Sequence, residues 1–455
     1  DVVFQRLSLA TRMRSVIQPL SNLEFRRVRS DREFETVAQQ AAAGEQDVLY
    51  WPAAITSRSV ECVEQVIKTL VLAGEDARLF LDVAAHVVFF HRGGDGLRVL
   101  RAAESLSDER SAFVHVPAPA ALVNLANYRE CLLFFSGSSE PRFFNQIRVS
   151  EHEVIKSSRN VEKMRAEHDF YYLLPPSFRH WFVAPFSFQE ESGEGRYFME
   201  RMYVPDMAVQ WVHESLGREE FDVFVKDAVR FLAARPMRLA KAPELRAAAD
   251  QQFQRKVEER FALLTQDPRS EKLEKLIQGG TRFDGFSAVL REYLALYASR
   301  APILSKLPGL VIGHGDPCLS NILYQKSIQL LRLVDPLGAS SEEQLWHHPY
   351  YDWAKLSHSI LGDYDWINND LYNVDVAQGN KMTLTIQVED RDGLEAKKRA
   401  FVAIAAEAGI DPFVLRLCEA SLFLSMAPLH LDHERKVLAF ILRGVSILEE
   451  LKING

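Results

Sequence analysis

Residues 313–323 read GHGDPCLSNIL, and a second acidic turn, LVDPLG, follows at 333–338. The run LPGLVIGH leads apolar into the first stretch, so a short buried segment is expected to end at His314. ILYQ (322–325) and LLRLV (330–334) are two further apolar runs, and the polar KSIQ between them suits a turn. This pattern predicts a β-hairpin whose near end carries Asn321 and whose far end carries Asp335. Both residues then share one edge of the hairpin, beside Asp316.

Two carboxylates and one amide oxygen make a hard, oxygen-only set of donors. Such a set suits Mg²⁺, which takes one or two carboxylates and leaves room for substrate phosphates. Asp316 is then left to accept a proton from an attacking hydroxyl. The spacing His-Gly-Asp-x-x-x-x-Asn matches the H-R-D-x-x-x-x-N catalytic loop of protein kinases, where the Asp is the base and the Asn binds metal. Gly315 stands where protein kinases carry the arginine that holds a phosphorylated activation loop, so that form of control is not expected.

HGDP-x-x-x-NIL followed by VDP-x-G resembles the aminoglycoside phosphotransferase and choline kinase family, a branch of the kinase-like superfamily. The resemblance implies ATP, Mg²⁺ and a small hydroxylated acceptor. It implies an α+β bilobal kinase-like fold, with a small β-sheet N-lobe and a helical C-lobe. By resemblance Asp316 is the catalytic base, and Asn321 and Asp335 are the metal ligands.

At 455 residues the chain is long enough for two or three domains. Its 47% hydrophobic and 25% charged residues are those of a globular protein. The net charge of −8 is spread without long runs of one sign, which argues against a nucleic-acid binder. Cys62, Cys131, Cys318 and Cys418 are far apart, so neither a zinc site nor a disulfide framework is indicated, and a reducing, cytoplasmic setting is expected. Cys318 lies inside the catalytic loop at a position the motif leaves variable, and is read as inert. No apolar run is expected to span a membrane, and the opening DVVFQRLSLATRMRSV lacks the apolar core of a secretory leader.

Residues 1–139 alternate strand-like runs (47–55, 77–83, 86–92, 112–118) with a helix at 59–74, the pattern of an α/β domain. ATRMRSVIQPL (10–20) and FVHVPAPAALVNLANY (113–128) resemble segments of sugar nucleotidyltransferases. The glycines that would wrap a triphosphate are missing, and Gln18 replaces the nucleotidyltransferase lysine. A degenerate relative of that fold and an unrelated α/β domain both remain open.

SGSSEPRFFN (136–145) reads as a linker. The predicted N-lobe spans 140–205: strands at 143–149, 153–158 and 196–204, and a helix at 160–175 stopped by Pro175 and Pro176. In the kinase-like frame Lys156 is the ATP-phosphate lysine, and Glu167 on the helix is its ion-pair partner, with Glu162 as competitor. MERM (199–202) is the expected hinge, with Met199, Glu200 and Met202 along the adenine. No G-x-G-x-x-G precedes Lys156, and no Walker A motif is present.

The helical C-lobe is expected over 206–455. Asp352 is expected to cap a helix in DWAKLSHSIL, and two late helices to end near Lys452. Asp363, Asp365, His430 and Asp432 are candidates for gripping the acceptor. The expected function is phosphorylation of a hydroxyl on a sugar or amino alcohol, in surface-polysaccharide or cell-envelope metabolism. The alternatives are a catalytically silent kinase-like module and a nucleotidyltransferase activity in the first domain.

Overall fold

The computed structural model describes residues 3–4, 7–8, 13–14, 26, 28, 31–43, 47–52, 54–57, 59–72, 77–80, 87–91, 114–115, 122–125, 127, 131, 134, 145–150, 152–376 and 381–454. The chain forms two compact units, Asp1–Ser138 and Ser139–Gly455.

In the first unit Val48–Tyr50, Val87–His91, Ala77–Phe80 and Val114–His115 form a four-stranded sheet in that order, and Ile55–Ser57 pairs with Leu122–Asn124. The helix Val60–Leu72 buries Val63, Val66, Ile67 and Leu70, the stripe its helical spacing predicts. The pairing of Ala77–Phe80 with Val114–His115 is parallel and the other pairings are antiparallel. Of the segment 10–20 only Met13 and Arg14 are described, so Gln18 lies outside the described residues, as does the expected linker apart from Asn145.

The second unit opens with β1 (Asn145–Val149) and β2 (Glu153–Ser158), followed by α1 (Val161–Leu173). Asn160 caps α1 by accepting the Lys163 N–H at 3.0 Å, and Pro175 follows its end. β3 (Pro185–Glu191) and β4 (Glu194–Glu200) complete an antiparallel sheet of order β3-β4-β2-β1. β3 is absent from the sequence reading. It is an edge strand with mostly exposed side chains and a bulge between Phe186 and Gln189, so no apolar alternation marks it.

The helical lobe begins with α2 (Met207–Val212), α3 (Arg218–Ala234), β5 (Met237–Leu239) and α4 (Ala242–Ala249). A π-helical turn, Asp250–Arg255, joins α4 to α5 (Lys256–Gln266), followed by α6 (Glu271–Gly280) and α7 (Phe286–Leu304). β6 (Gly309–Ile312), buried at every position as its apolar run requires, pairs with β5 and with β9 (Trp346–His347). Between β6 and β9 lies the expected hairpin, β7 (Ile322–Gln325) and β8 (Leu330–Leu333). Its register sets Ile322 opposite Leu333 and Tyr324 opposite Leu331, so these four side chains are buried while their neighbours face outward.

α8 (Tyr350–Ile360) and the short α9 (Tyr364–Asn368) follow, then a hairpin of β10 (Tyr372–Val376) and β11 (Met382–Ile386) that the sequence reading does not contain. Three helices close the chain instead of the expected two: α10 (Arg391–Glu407), α11 (Pro412–Met426) and α12 (Glu434–Asn454). One helical stretch does pass for a membrane span by length and composition alone. Pro412–His430 is long and apolar enough, but 72% of that stretch is buried inside the protein. It is a core helix, packed against α8 and α12. A small sheet with one helix followed by a helical lobe fits the bilobal kinase-like fold.

Candidate active site

The catalytic loop hangs from the end of β6. Gly315 has φ +82°, and a Cβ there would lie 2.5 Å from Leu337 Cβ, so both its backbone and its space demand glycine. His314 is fully buried, and its ring stacks on Phe182 with centroids 5.9 Å apart. Its Nε2–H donates to the Val334 carbonyl at 3.0 Å, which leaves Nδ1 to accept the Asp316 N–H at 3.1 Å. Acceptance at Nδ1 needs the neutral ring, and burial pushes the imidazole pKa down. His314 therefore ties the loop to the end of β8 and is not poised for proton transfer.

α8 forms the floor of the loop through one helical stripe at i, i+3 and i+7. Asp352 accepts the N–H groups of His314 at 3.0 Å and Gly315 at 2.9 Å. Lys355 Nζ lies 2.9 Å from Asp316 Oδ1. Ser359 Oγ accepts the Leu319 N–H at 3.1 Å. The expectation that Asp352 caps α8 is corrected: Pro349 occupies the cap position, and Asp352 sits buried in the first turn, paired with Arg235. Its carboxylate is spent on loop amides because a buried charge needs several donors. Neither Lys355 nor Arg235 was a candidate on sequence. The D-x-A-K segment held the signal, since Asp352 and Lys355 three residues apart share a face.

Asn321 Nδ2 donates to the Asp316 carbonyl at 2.8 Å, which fixes the amide orientation. The Val334 N–H bonds to the Asn321 carbonyl at 3.0 Å, so Asn321 and Asp335 do meet at one end of the hairpin. Asp335 has φ +58°, a left-handed conformation that non-glycine residues rarely hold without a constraint. Lys156 supplies one: its ammonium bridges Asp335 and Glu167, the latter at 2.6 Å. Burial works against the ammonium, but the Asp335 and Glu167 carboxylates outweigh it and hold the pKa above the ordinary lysine value. Tyr197 O–H donates to Glu167 Oε2 at 3.1 Å, and Lys163 approaches its other oxygen at 3.5 Å. Glu162 is exposed and takes no part.

The Asp335 turn is clamped to α1. The Ala339 N–H donates to the Ala166 carbonyl at 2.9 Å. Gly338, at φ +89°, has room for a Cβ only 3.0 Å from the Ala166 and Glu167 backbone. The hairpin end and the helix carrying Glu167 are thus one mechanical unit.

An amide oxygen and a carboxylate at the hairpin end are donors of the kind Mg²⁺ takes. Among the described residues no trio of His, Cys, Asp and Glu converges, so the remaining positions suit phosphate oxygens and water. Met199 lines a small cavity behind the Lys156–Glu167 pair, with Phe170, Phe182 and Val334. Met199 and Glu200 still belong to β4, and the Arg201 N–H still donates to the His152 carbonyl at 2.9 Å, so the free hinge backbone starts later than expected and includes Met202.

The acceptor candidates sit in different surroundings. Asp363 is buried and ion-paired at 2.8 Å to Lys398 and 2.7 Å to Arg443, so its role is corrected from acceptor grip to structural anchor. Asp432 is exposed and pairs with His433, while the His430 ring packs edge-on against Phe440. Asp365 is buried and accepts from Ser359; burial first, then Asp206 and Asp316, raise its pKa to about 7. Cys318 is buried and burial pushes its thiol well up, which fits an inert residue.

No family model matches the chain, and no curated protein matches it. Among solved structures it is similar to a thermostable mutant of aminoglycoside phosphotransferase APH(4)-Ia in ternary complex with AMP-PNP and hygromycin B, at 12% identity and a TM-score of 0.40, over 70% of this chain and 92% of that one. It is similar to spectinomycin phosphotransferase APH(9)-Ia in complex with ADP and spectinomycin, at 12% identity and a TM-score of 0.36, over 68% of this chain and 90% of that one. It is similar to an aminoglycoside-3'-phosphotransferase of type VIII, at 12% identity and a TM-score of 0.32, over 66% and 99% of the two chains. None of these supports a nucleotidyltransferase-like first unit.

Proposed function

We propose that the chain is an ATP-dependent phosphotransferase acting on a hydroxyl of a small molecule, a sugar or an amino alcohol. The observation that carries this is the convergence of Lys156, Glu167 and Asp335 with Asn321 and Asp316, drawn from β2, α1, the hairpin and the catalytic loop. A catalytically silent module would have no reason to keep a strained aspartate and a buried lysine in register. The surface-polysaccharide or cell-envelope setting rests on analogy with the fused α/β unit and guides the choice of acceptors alone.

In this reading Lys156, steadied by Glu167, holds the α and β phosphates, and the backbone at Met202, just past β4, borders the adenine. Asn321 and Asp335 would hold Mg²⁺, which when bound offsets phosphate charge. Asp316 orients the acceptor hydroxyl and takes its proton as the new oxygen–phosphorus bond forms and ADP departs. Its side chain is 30% exposed, open enough to meet a substrate.

The test is acceptor-dependent ADP release across sugars, polyols and amino alcohols, compared between the parent protein and Asp316→Asn. Release by the parent with at least one compound, lost in the variant, is the expected result. Equal rates in both proteins, or none with any compound, would overturn the reading.

A further inference from the structure

Lys355 reaches the catalytic carboxylate from α8, outside the catalytic loop. Its side chain is 13% exposed and its Nζ lies 2.9 Å from Asp316 Oδ1. Burial disfavours its charge, but Asp316 outweighs this and keeps the ammonium protonated. One turn further on, His358 is buried between Tyr364 and Phe423, with ring centroids 4.4 and 4.2 Å away. Burial, and then Lys355, push its pKa well below the ordinary value, so it is neutral. Lys256 stands nearby with its Nζ 2.8 Å from the Tyr351 hydroxyl. Asp316 is the carboxylate that Lys355 meets.

A permanent ion pair is a poor arrangement for a base, because it weakens the carboxylate's hold on a proton. The pairing becomes useful once the reaction is followed through. The acceptor oxygen bonds to the γ-phosphorus, and the bond from phosphorus to the ADP oxygen breaks with its electron pair leaving on ADP. The hydroxyl proton passes to Asp316, which becomes neutral. Lys355 then loses its counter-ion at the moment when the phosphoryl group carries charge on its equatorial oxygens. The acceptor oxygen must lie within about 3 Å of Asp316, so those oxygens come within reach of a flexible ammonium with three donors.

The geometry points to Lys355 as a further catalytic residue, one that releases Asp316 as it is protonated and binds the phosphoryl group in transit. Such a contact is stronger in the transition state than in the ground state, and so raises kcat. The assignment rests on the phosphotransferase reading above.

The experiment measures ADP formation from Mg·ATP with water as acceptor and with the acceptor panel, for the parent protein, Lys355→Met, Lys355→Arg, Lys355→Ala and Asp316→Asn. Lys355→Met is expected to lose about 10²–10³-fold in kcat with the KM for Mg·ATP unchanged. Lys355→Arg is expected to recover part of the loss, and methylammonium to restore turnover to Lys355→Ala. If Lys355→Met does not melt cooperatively, Lys355→Arg and the amine rescue decide. Parent-like turnover in Lys355→Met beside a dead Asp316→Asn overturns the role of Lys355 alone. So does a loss that neither arginine nor the amine relieves, which marks a structural ion pair. A parent protein that forms no ADP overturns the phosphotransferase reading, and this inference with it.

Discussion

Arg235 and Asp352 form a buried ion pair, 3.1 Å apart, beneath the catalytic loop, and the same carboxylate accepts two loop amides. The pair joins the end of α3 to the start of α8 and sets the height of the loop that carries Asp316. Breaking such a pair from one side leaves an uncompensated buried charge, at a cost of about 3–5 kcal/mol. Asp352→Ala is therefore expected to lower unfolding stability by that amount and to abolish turnover. Urea denaturation of both proteins checks the first part; a loss under about 1 kcal/mol would mean the loop does not depend on this carboxylate.

Asp316→Asn keeps the shape of the side chain and loses the proton acceptor. Turnover is expected to fall by about 10²–10⁴-fold, with nucleotide affinity nearly intact. Stopped-assay kinetics together with a nucleotide titration separate the two quantities. Transfer within a few-fold of the parent rate would remove Asp316 from the mechanism.

Gly338→Ala tests the clamp between the hairpin end and α1. The added Cβ would sit 3.0 Å from the α1 backbone at φ +89°. Backbone strain of this kind costs about 1–3 kcal/mol. The expected outcome is a lower Tm and weaker Mg·ATP binding together, because Asp335 and Glu167 flank the clamp. A variant with the lower Tm but parent-like nucleotide affinity would show that the clamp serves stability alone.

The hairpin, and the meeting of Asn321 and Asp335 at its end, were legible because alternation and motif spacing both act over a few residues. Lys156 and Glu167 were legible because the downstream motif set the frame. What stayed hidden was relational. Asp352 looks like a helix cap until Arg235, 117 residues away in sequence, is seen beside it. Asp363 looks like a solvated acid until Lys398 and Arg443 close on it. β3 and the β10–β11 hairpin carry too few buried residues for periodicity to reveal them.

The last prediction concerns the pH dependence of stability. Asp365 is buried, and its Oδ2 has no hydrogen-bond partner among the described residues. Burial first, then Asp206 and Asp316, lift its pKa from 3.8 to about 7 in the folded protein. A group whose folded pKa lies above its unfolded one favours folding most below the unfolded value, and this contribution is lost as pH rises through the folded value. The window is therefore from about pH 4 to about pH 7. At roughly 1.4 kcal/mol per pKa unit, the contribution lost is on the order of 4 kcal/mol. Asp365→Asn keeps the size of the side chain and cannot ionise. Its Tm is expected to fall below the parent's near pH 4, where the protonated acid is well tolerated, and to exceed it at pH 8, where the parent carries a buried charge. Melting both proteins across that range is sufficient. Parallel Tm curves, with no crossing and a constant offset, would show that Asp365 has the same protonation behaviour folded and unfolded, and that its burial carries no electrostatic cost.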